Sequence, residues 1–199
     1  MKISLSYCKT MPMILLFSLT SNAGAQENQL PYREIPDPPE NFSAGGVVSR
    51  LIDGLGFRFF WATEGLRDKD LSFRPGKEAR STAETVDHIY GLSRVILNSA
   101  LQKPNKPQDP AQMTFDQKRA EVLEMLKQAS DIFRQADDLS QYSVVFVQDG
   151  NRNEFPFWNQ INGPISDALW HCGQIVSLRR SSGNPFTAKV SLFTGKIRE

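Results

Sequence analysis

The sequence predicts an all-α protein, a four-helix bundle, from three observations. Apolar residues recur at spacings of three and four in four separate stretches, the period of one buried helix face. Helix-capping residues precede two of these stretches, and segments rich in proline or glycine separate them. The 199-residue chain is 40% hydrophobic and 23% charged, as expected for one globular domain. Four amphipathic helices in one domain bury their apolar faces by packing against one another.

The first two helices are predicted from an apolar stripe and a cap. The first is expected from about Ser43 to Leu66, and the charged segment that follows ends it. Its core face is the stripe Val48, Leu51, Ile52, Leu55, Phe59, Ala62 and Leu66. The second starts at a capping box, in which the Ser81 hydroxyl and the Glu84 carboxylate accept hydrogen bonds from each other's free backbone amides. Its inner stripe is His88, Ile89, Leu92, Val95 and Ile96.

The third and fourth helices follow the same pattern. Thr114 is placed to cap a third helix that ends near Asp138. The fourth has Gly163-Pro164 near its beginning, so a helix from about Phe157 either kinks there or starts afresh with Pro164 in its first turn. The predicted core stripes are Val122, Met125, Leu126, Ala129, Ile132 and Phe133 in the third helix, and Ile165, Ala168, Leu169, Cys172, Ile175 and Val176 in the fourth. Arg179 and Arg180 are expected to be a solvated helix end.

Two short β-structures are expected beside the helices. The segment "SVVFVQDGNRNEFPFW" contains two β-prone runs around Asp149-Gly150, a pattern that predicts a small hairpin between helices three and four. A short strand is expected at Val190 to Phe193.

The amino-terminal segment has the pattern of a secretory signal peptide. Lys2 and Lys9 precede an apolar run, Met11 to Leu19, that is too short to span a bilayer, and Ala23-Gly24-Ala25 is a small-x-small cleavage signal. We expect a signal peptide over residues 1–25, a proline-rich leader over 26–42 and a helical domain over 43–199. The protein would then be exported, periplasmic or extracellular, with no integral membrane segment. A retained amino-terminal anchor is the alternative.

Charge and cysteine content exclude several function classes. Cleavage removes two lysines and no acid, so the formal net charge falls from +1 to −1. A near-neutral balance does not favour nucleic acid or a charged membrane surface as partner. Cleavage also removes Cys8, which leaves Cys172 as the only cysteine and excludes an internal disulfide.

The candidate site comes from both histidines of the chain. Asp167 and His171 stand four residues apart, so in a helix they project from one side with Cβ atoms about 5–6 Å apart. If the second and fourth helices pack side by side, His88 meets them, giving two histidines and one carboxylate with coordination positions left open. The alternatives are a hydrogen-bonded core histidine and a surface Asp–His pair. Cys172 is expected in the core, and Trp61, Trp158 and Trp170 either line a pocket above the site or pack in the core.

Two segments of the chain resemble one family. "LSFRPGKEARSTAETVDHIYGLSRV" and "DALWHCGQIVSLRRSSGNP" are similar to DinB-like proteins, including their YfiT-like and thiol-transferase relatives, over about Val47 to Pro185. The resemblance implies a four-helix bundle with up-down-down-up connections that binds a divalent ion through three histidines. It puts the ligands at His88, Asp167 and His171, with Gln174 supporting them from the second layer. Asp167 departs from the family's usual histidine.

These observations lead to a functional expectation with alternatives. The expected cofactor is a divalent ion, with zinc or nickel ahead of iron or manganese. The expected function is an exported metal-binding protein that acts as a hydrolase through a metal-bound water on an unidentified small molecule. A non-catalytic metal- or ligand-binding module and a metal-dependent thiol transferase are the alternatives. The sequence identifies no general base, and it leaves a homodimer open.

Overall fold

The computed structural model describes residues 30–107 and 112–198, and this part of the chain is mainly helical. The predicted signal peptide lies outside the described residues. In chain order the elements are α1 Ala44–Thr63, α2 Asp68–Leu71, α3 Thr82–Ala100, α4 Phe115–Arg134, a 3₁₀ turn at Leu139–Gln141, β1 Val144–Gln148, β2 Asn151–Phe155, α5 Trp158–Gln160, a π-helical turn at Ile161–Ile165, α6 Ser166–Ser181, β3 Val190–Ser191 and β4 Lys196–Ile197.

The predicted helix starts are confirmed by their caps. The Ser43 hydroxyl accepts a hydrogen bond from the Gly46 amide at 3.0 Å, and α1 begins at the next residue. At α3 the Ser81 hydroxyl accepts from the Glu84 amide at 3.2 Å, and the Glu84 carboxylate accepts from the Ser81 amide at 2.7 Å. Thr114 makes a similar reciprocal pair with Gln117 at the start of α4. Each cap satisfies amides that have no partner inside the helix.

The hydrophobic core lies among the four long helices. Helices α1 and α3 each pack against both α4 and α6. The largest fully buried side chains come from all four: Ile52, Leu55, Phe57, Phe59, Phe60, Ile89, Ile96, Leu123, Leu126, Phe133 and Ile175, together with Ile165 of the π-helical turn. Nine of these twelve belong to the predicted stripes, and burying one such side chain contributes about 1.5–3 kcal/mol. Phe57, Phe60 and Leu123 were not predicted, and Phe57 packs in a separate cluster with Ile35 and Val190.

The buried polar side chains of α1 are satisfied by other elements. Asp53 is inaccessible to solvent, and its carboxylate accepts hydrogen bonds from the Tyr32 hydroxyl at 3.1 Å and the Ser130 hydroxyl at 2.5 Å. Arg134 pairs with the same carboxylate at 2.7 Å. The Tyr32 ring lies so close to Gly56 that a Cβ there would be 2.3 Å from it. The segment before α1 is thereby attached to the helical core.

The two antiparallel hairpins confirm the expected β-structures. Strands β1 and β2 pair from Val144–Phe155 to Gln148–Asn151, joined by Asp149 and Gly150, both with positive φ. A positive φ at both turn residues favours an Asp-Gly pair, and Asp149-Gly150 is the pair from which the sequence predicted this hairpin. The pairing of β3 with β4 contains only two residues of the strand expected at Val190 to Phe193, because the chain turns after Ser191.

The chain from Trp158 to Ser181 decides between the two alternatives for Pro164 in favour of a helix that continues through it. Backbone conformation stays helical from α5 into α6, and the turn that contains Pro164 widens into a π-turn. Proline lacks an amide hydrogen and its ring crowds the preceding turn, so a wider turn relieves the conflict. The Ser166 hydroxyl donates to the Ile161 carbonyl at 2.6 Å and satisfies that carbonyl oxygen.

Two helix ends and one arginine also differ from expectation. Helix α1 ends at Thr63, before Leu66, because Gly65 adopts a positive φ, and α4 ends at Arg134 rather than near Asp138.

Arg180 is exposed as expected, but the solvated position predicted for Arg179 is wrong. Arg179 is buried because its guanidinium donates to the carbonyls of Trp61 and Ala62 at 3.1 and 3.0 Å, closing the end of α1.

The charged segment after α1 contains a helix that the sequence did not predict. Asp70 of α2 is fully buried, with its carboxylate bound by Arg67 at 2.7 Å, Ser182 at 2.6 Å and Asn184 at 2.8 Å. These hydrogen bonds, the largest from Arg67, hold the pKa of Asp70 well below its ordinary value although burial alone would raise it. Asp70 therefore joins α2 to the end of α6.

No helix in residues 30–107 and 112–198 combines the length and the apolar character that a bilayer crossing requires.

Asp70→Asn should destabilise the protein by about 2 kcal/mol or more at pH 7, because it leaves buried donors without a charged acceptor. The folded pKa lies below the unfolded one, so ionised Asp70 stabilises the fold above about pH 4 and less as the pH falls further. Thermal unfolding at pH 7 and pH 3 checks this: the gap between variant and wild type should narrow at pH 3. The exposed Asp37→Asn variant is the control, and an equal loss there would contradict the assignment.

Candidate metal centre

The three predicted ligands meet where α3 packs against α6. Nε2 of His88 lies 3.0 Å from Oδ2 of Asp167, and Nε2 of His171 lies 3.3 Å from Oδ1 of the same carboxylate. The two imidazole rings are perpendicular, with centroids 4.7 Å apart. Residues 79 positions apart in sequence thus form one cluster.

The cluster fits a metal ion in its donor atoms and its size. One ligand atom from each of His88, Asp167 and His171 lies within 4.8 Å of the other two. Ligand atoms about 2.1 Å from one ion stand about 3.0–3.4 Å apart in octahedral or tetrahedral geometry. The nitrogen–oxygen distances of 3.0 and 3.3 Å lie in that interval, and they end on different oxygens of Asp167. The side chains would shift so that both nitrogens and one oxygen surround an ion, and imidazole with carboxylate suits zinc, nickel, iron and manganese.

The cluster lies at the edge of the core, within reach of solvent. The side chains of His88 and Asp167 are 32% and 39% exposed, whereas His171 is 15% exposed. Beside them is a shallow, open recess along one side of α6, here called the cleft, lined by Asp167, Trp170, His171, Gly173, Gln174 and Ser177. A small molecule can therefore approach the cluster from the cleft without any rearrangement of the core.

Gln174 contacts His171 within helix α6. Its Oε1 lies 2.7 Å from Nδ1 of the imidazole, one helical turn away. If Nδ1 donates its hydrogen to Oε1, Nε2 carries the lone pair that can bind a cation. Gln174 would then favour the tautomer of His171 that a metal ion requires.

The π-turn before Asp167 is a feature of the site that the sequence did not predict. It inserts a widened turn directly before the first ligand of α6 and packs against α3. Such turns are rare and frequent at functional sites. The sequence signal was Gly163-Pro164, which indicated either a kink or a new helix start and did not indicate a π-turn.

Other candidates lie apart from the cluster. Cys172 is 2% exposed, as expected for a core thiol, and burial raises its pKa to about 12, so it is neutral at ordinary pH. Trp170, 78% exposed, lines the cleft. Trp61 instead packs against the core, and its indole donates to the Arg33 carbonyl at 3.0 Å. Trp158 is 74% exposed and is not among the cleft residues.

Comparison of the chain with protein-family models, curated proteins and solved structures gives no match. The geometry of the cluster therefore carries the functional argument.

Gln174→Leu should lower the affinity of the cluster for zinc about 10- to 100-fold, because it removes the acceptor that orients His171. Gln174→Glu keeps an acceptor at this position and should restore most of the affinity. Competition with a chromophoric chelator measures both. Equal zinc affinity of the leucine variant and wild type would show that Gln174 does not support the site.

Proposed function

We propose that this protein is an exported, divalent-metal-binding four-helix bundle of the DinB-like type, and that the bound ion serves a hydrolytic reaction. The observation that carries the proposal is the convergence of two imidazole nitrogens on one carboxylate at 3.0 and 3.3 Å, at the edge of an open cleft. The packing of α1 and α3 against α4 and α6 supports the bundle.

The roles of the residues follow from their positions. His88, Asp167 and His171 would hold the ion, and Gln174 would keep His171 in the binding tautomer. A divalent ion there supplies Lewis-acid chemistry, lowering the pKa of a coordinated water and polarising a carbonyl or ester oxygen. Three protein ligands leave positions open, as catalytic metal sites require. The cleft would admit the substrate, and exposed Trp170 offers it an aromatic surface.

Asp167 distinguishes this site from one with three histidines. Its carboxylate contributes a negative charge, which lowers the net charge of the site and favours harder ions than three imidazoles do. Its Oδ2 lies 3.0 Å from Nε2 of His88 and its Oδ1 lies 3.3 Å from Nε2 of His171, so one carboxylate stands beside both proposed ligand nitrogens. The three proposed ligands are therefore already gathered at one place.

A non-catalytic binding module is the second candidate, favoured by one specific observation. The only acidic side chain among the described residues that line the cleft is Asp167, itself a proposed ligand. No carboxylate separate from the ion is therefore available in the cleft as a general base.

Metal analysis of the purified protein tests the binding proposal. Wild type prepared without chelator, or incubated with zinc and desalted, should contain about one ion per chain, whereas His171→Ala should contain far less because one of three ligands is lost. Asp87→Asn is the matched control, since this residue precedes His88 and pairs with Lys118 instead. Equal metal content in wild type and His171→Ala, including none in either, would refute the site.

Hydrolysis of p-nitrophenyl acetate tests the catalytic part. Zinc-loaded wild type should exceed the chelator-treated protein by about tenfold or more, because a zinc-coordinated water ionises near neutral pH. Asp167→Ala should show no such difference. If wild type binds zinc but hydrolyses no faster with it than without, the protein is a binding module for this class of ester.

A further inference from the structure

A second recess lies on the other side of helix α6 from the proposed metal cluster. It is a cavity of about 780 Å³, within the range of small-molecule sites. Its walls come from α1, α6 and the carboxy-terminal hairpin of β3 and β4. Leu169, Val176 and Val190 are among the apolar residues that line it, and the neutral thiol of Cys172 also faces it.

Three arginines line this cavity. Arg58 comes from α1, Arg180 from the last turn of α6, and Arg198 from the residue after β4. No acidic side chain is among the described residues of the lining. Within residues 30–107 and 112–198, none of the three guanidinium groups pairs with a carboxylate. Arg58 donates to the Gly54 carbonyl at 2.9 Å, which anchors the side chain and leaves other donors free.

Other arginines of the protein are paired with acidic side chains. Arg67, Arg119 and Arg134 each bind a carboxylate. Like charges gathered beside an apolar wall repel one another and favour an anion as partner. Guanidinium groups also match the planar geometry of a carboxylate.

The mouth of the cavity bears apolar side chains that the fold leaves uncovered. Leu192 is 47% exposed and Phe193 is fully exposed, both in the turn between β3 and β4. Phe193 contributes nothing to the core, yet both residues border the cavity. A ligand with an apolar body would cover them.

We infer that this cavity binds a small amphiphilic carboxylate, with its apolar chain against α6 and the β3–β4 hairpin and its anionic head at Arg58, Arg180 and Arg198. The apolar residues of the lining would contact the hydrocarbon chain of the ligand, and the three guanidinium groups would bind its carboxylate. A neutral apolar ligand would leave the three positive charges without a partner.

The cavity and the metal cluster are neighbours but separable. Gly173 and Ser177 line both the cavity and the cleft beside His171, so only small side chains stand between the two. A Cβ on Gly173 would meet nothing within 4 Å, and packing therefore does not require a glycine there. None of the three metal-ligand candidates lines the cavity, so binding in it does not depend on an ion.

Calorimetric titration of the full protein with octanoate, in the presence of EDTA, tests the inference. Octanoate should bind more tightly than octan-1-ol, the neutral probe of equal chain length. Arg180→Gln combined with Arg198→Gln should weaken octanoate binding about tenfold or more, because two charged hydrogen-bond donors are lost. The same variant should keep the octan-1-ol affinity of wild type, which also verifies that it is folded. Lys77→Gln with Arg80→Gln, an equal charge change at exposed positions outside the cavity, should leave octanoate binding unchanged.

A steric variant tests the location. Ala188→Trp keeps all three arginines but occupies the cavity, so it should abolish binding of both probes. Octanoate binding equal to that of octan-1-ol, an unaffected Ala188→Trp variant, or an equal loss in the Lys77/Arg80 control would each overturn the inference. Co-sedimentation with phosphatidylglycerol vesicles in the absence of octanoate binding would also overturn the inference, because the arginines would then bind a membrane surface. Since EDTA removes the ion, failure here leaves the metal proposal untouched, and the reverse also holds.

Discussion

The burial of helix α1 is the constraint on which the rest of the structure depends. Most of its residues are buried, including three phenylalanines within four positions, Phe57, Phe59 and Phe60. A helix buried on more than one face needs partners on several sides, and α4 and α6 supply them. It also carries polar groups inside, which must be hydrogen-bonded if the helix is to stay there. Asp53 accordingly receives the Tyr32 hydroxyl, the Ser130 hydroxyl and the Arg134 guanidinium.

The position of the candidate metal centre follows from this packing. Helix α6 packs against both α1 and α3, and its buried stripe belongs to the common core. Asp167 and His171 occupy the row beside the stripe, so they meet His88 at the boundary between core and solvent. That boundary satisfies two requirements at once. Burial limits the mobility of the side chains, while partial exposure leaves space for a small molecule.

The same helix presents two recesses of different chemistry. On one side is the cleft with the cluster of two histidines and an aspartate, and on the other is the cavity with three arginines. The first suits a cation and the second an anion. The two are separated by Gly173 and Ser177, residues whose small side chains do not fill either recess. A helix with one fully buried stripe still has flanking rows available for binding.

Local patterns in the sequence predicted the four long helices, their capped starts and the Asp-Gly hairpin, because these depend on neighbouring residues and on one buried face. They also singled out His88, Asp167 and His171. The sequence patterns did not predict the short helix around buried Asp70 or the buried position of Arg179, and they did not decide whether the helix continues through Pro164. A charged residue is predicted to be exposed to solvent unless groups distant in sequence bind it. Here Ser182 and Asn184 bind Asp70, and the carbonyls at the end of α1 accept hydrogen bonds from Arg179. Only the tertiary structure decided that the three ligand candidates lie within 4.8 Å and that three arginines share one cavity, because each contact joins residues far apart in the chain.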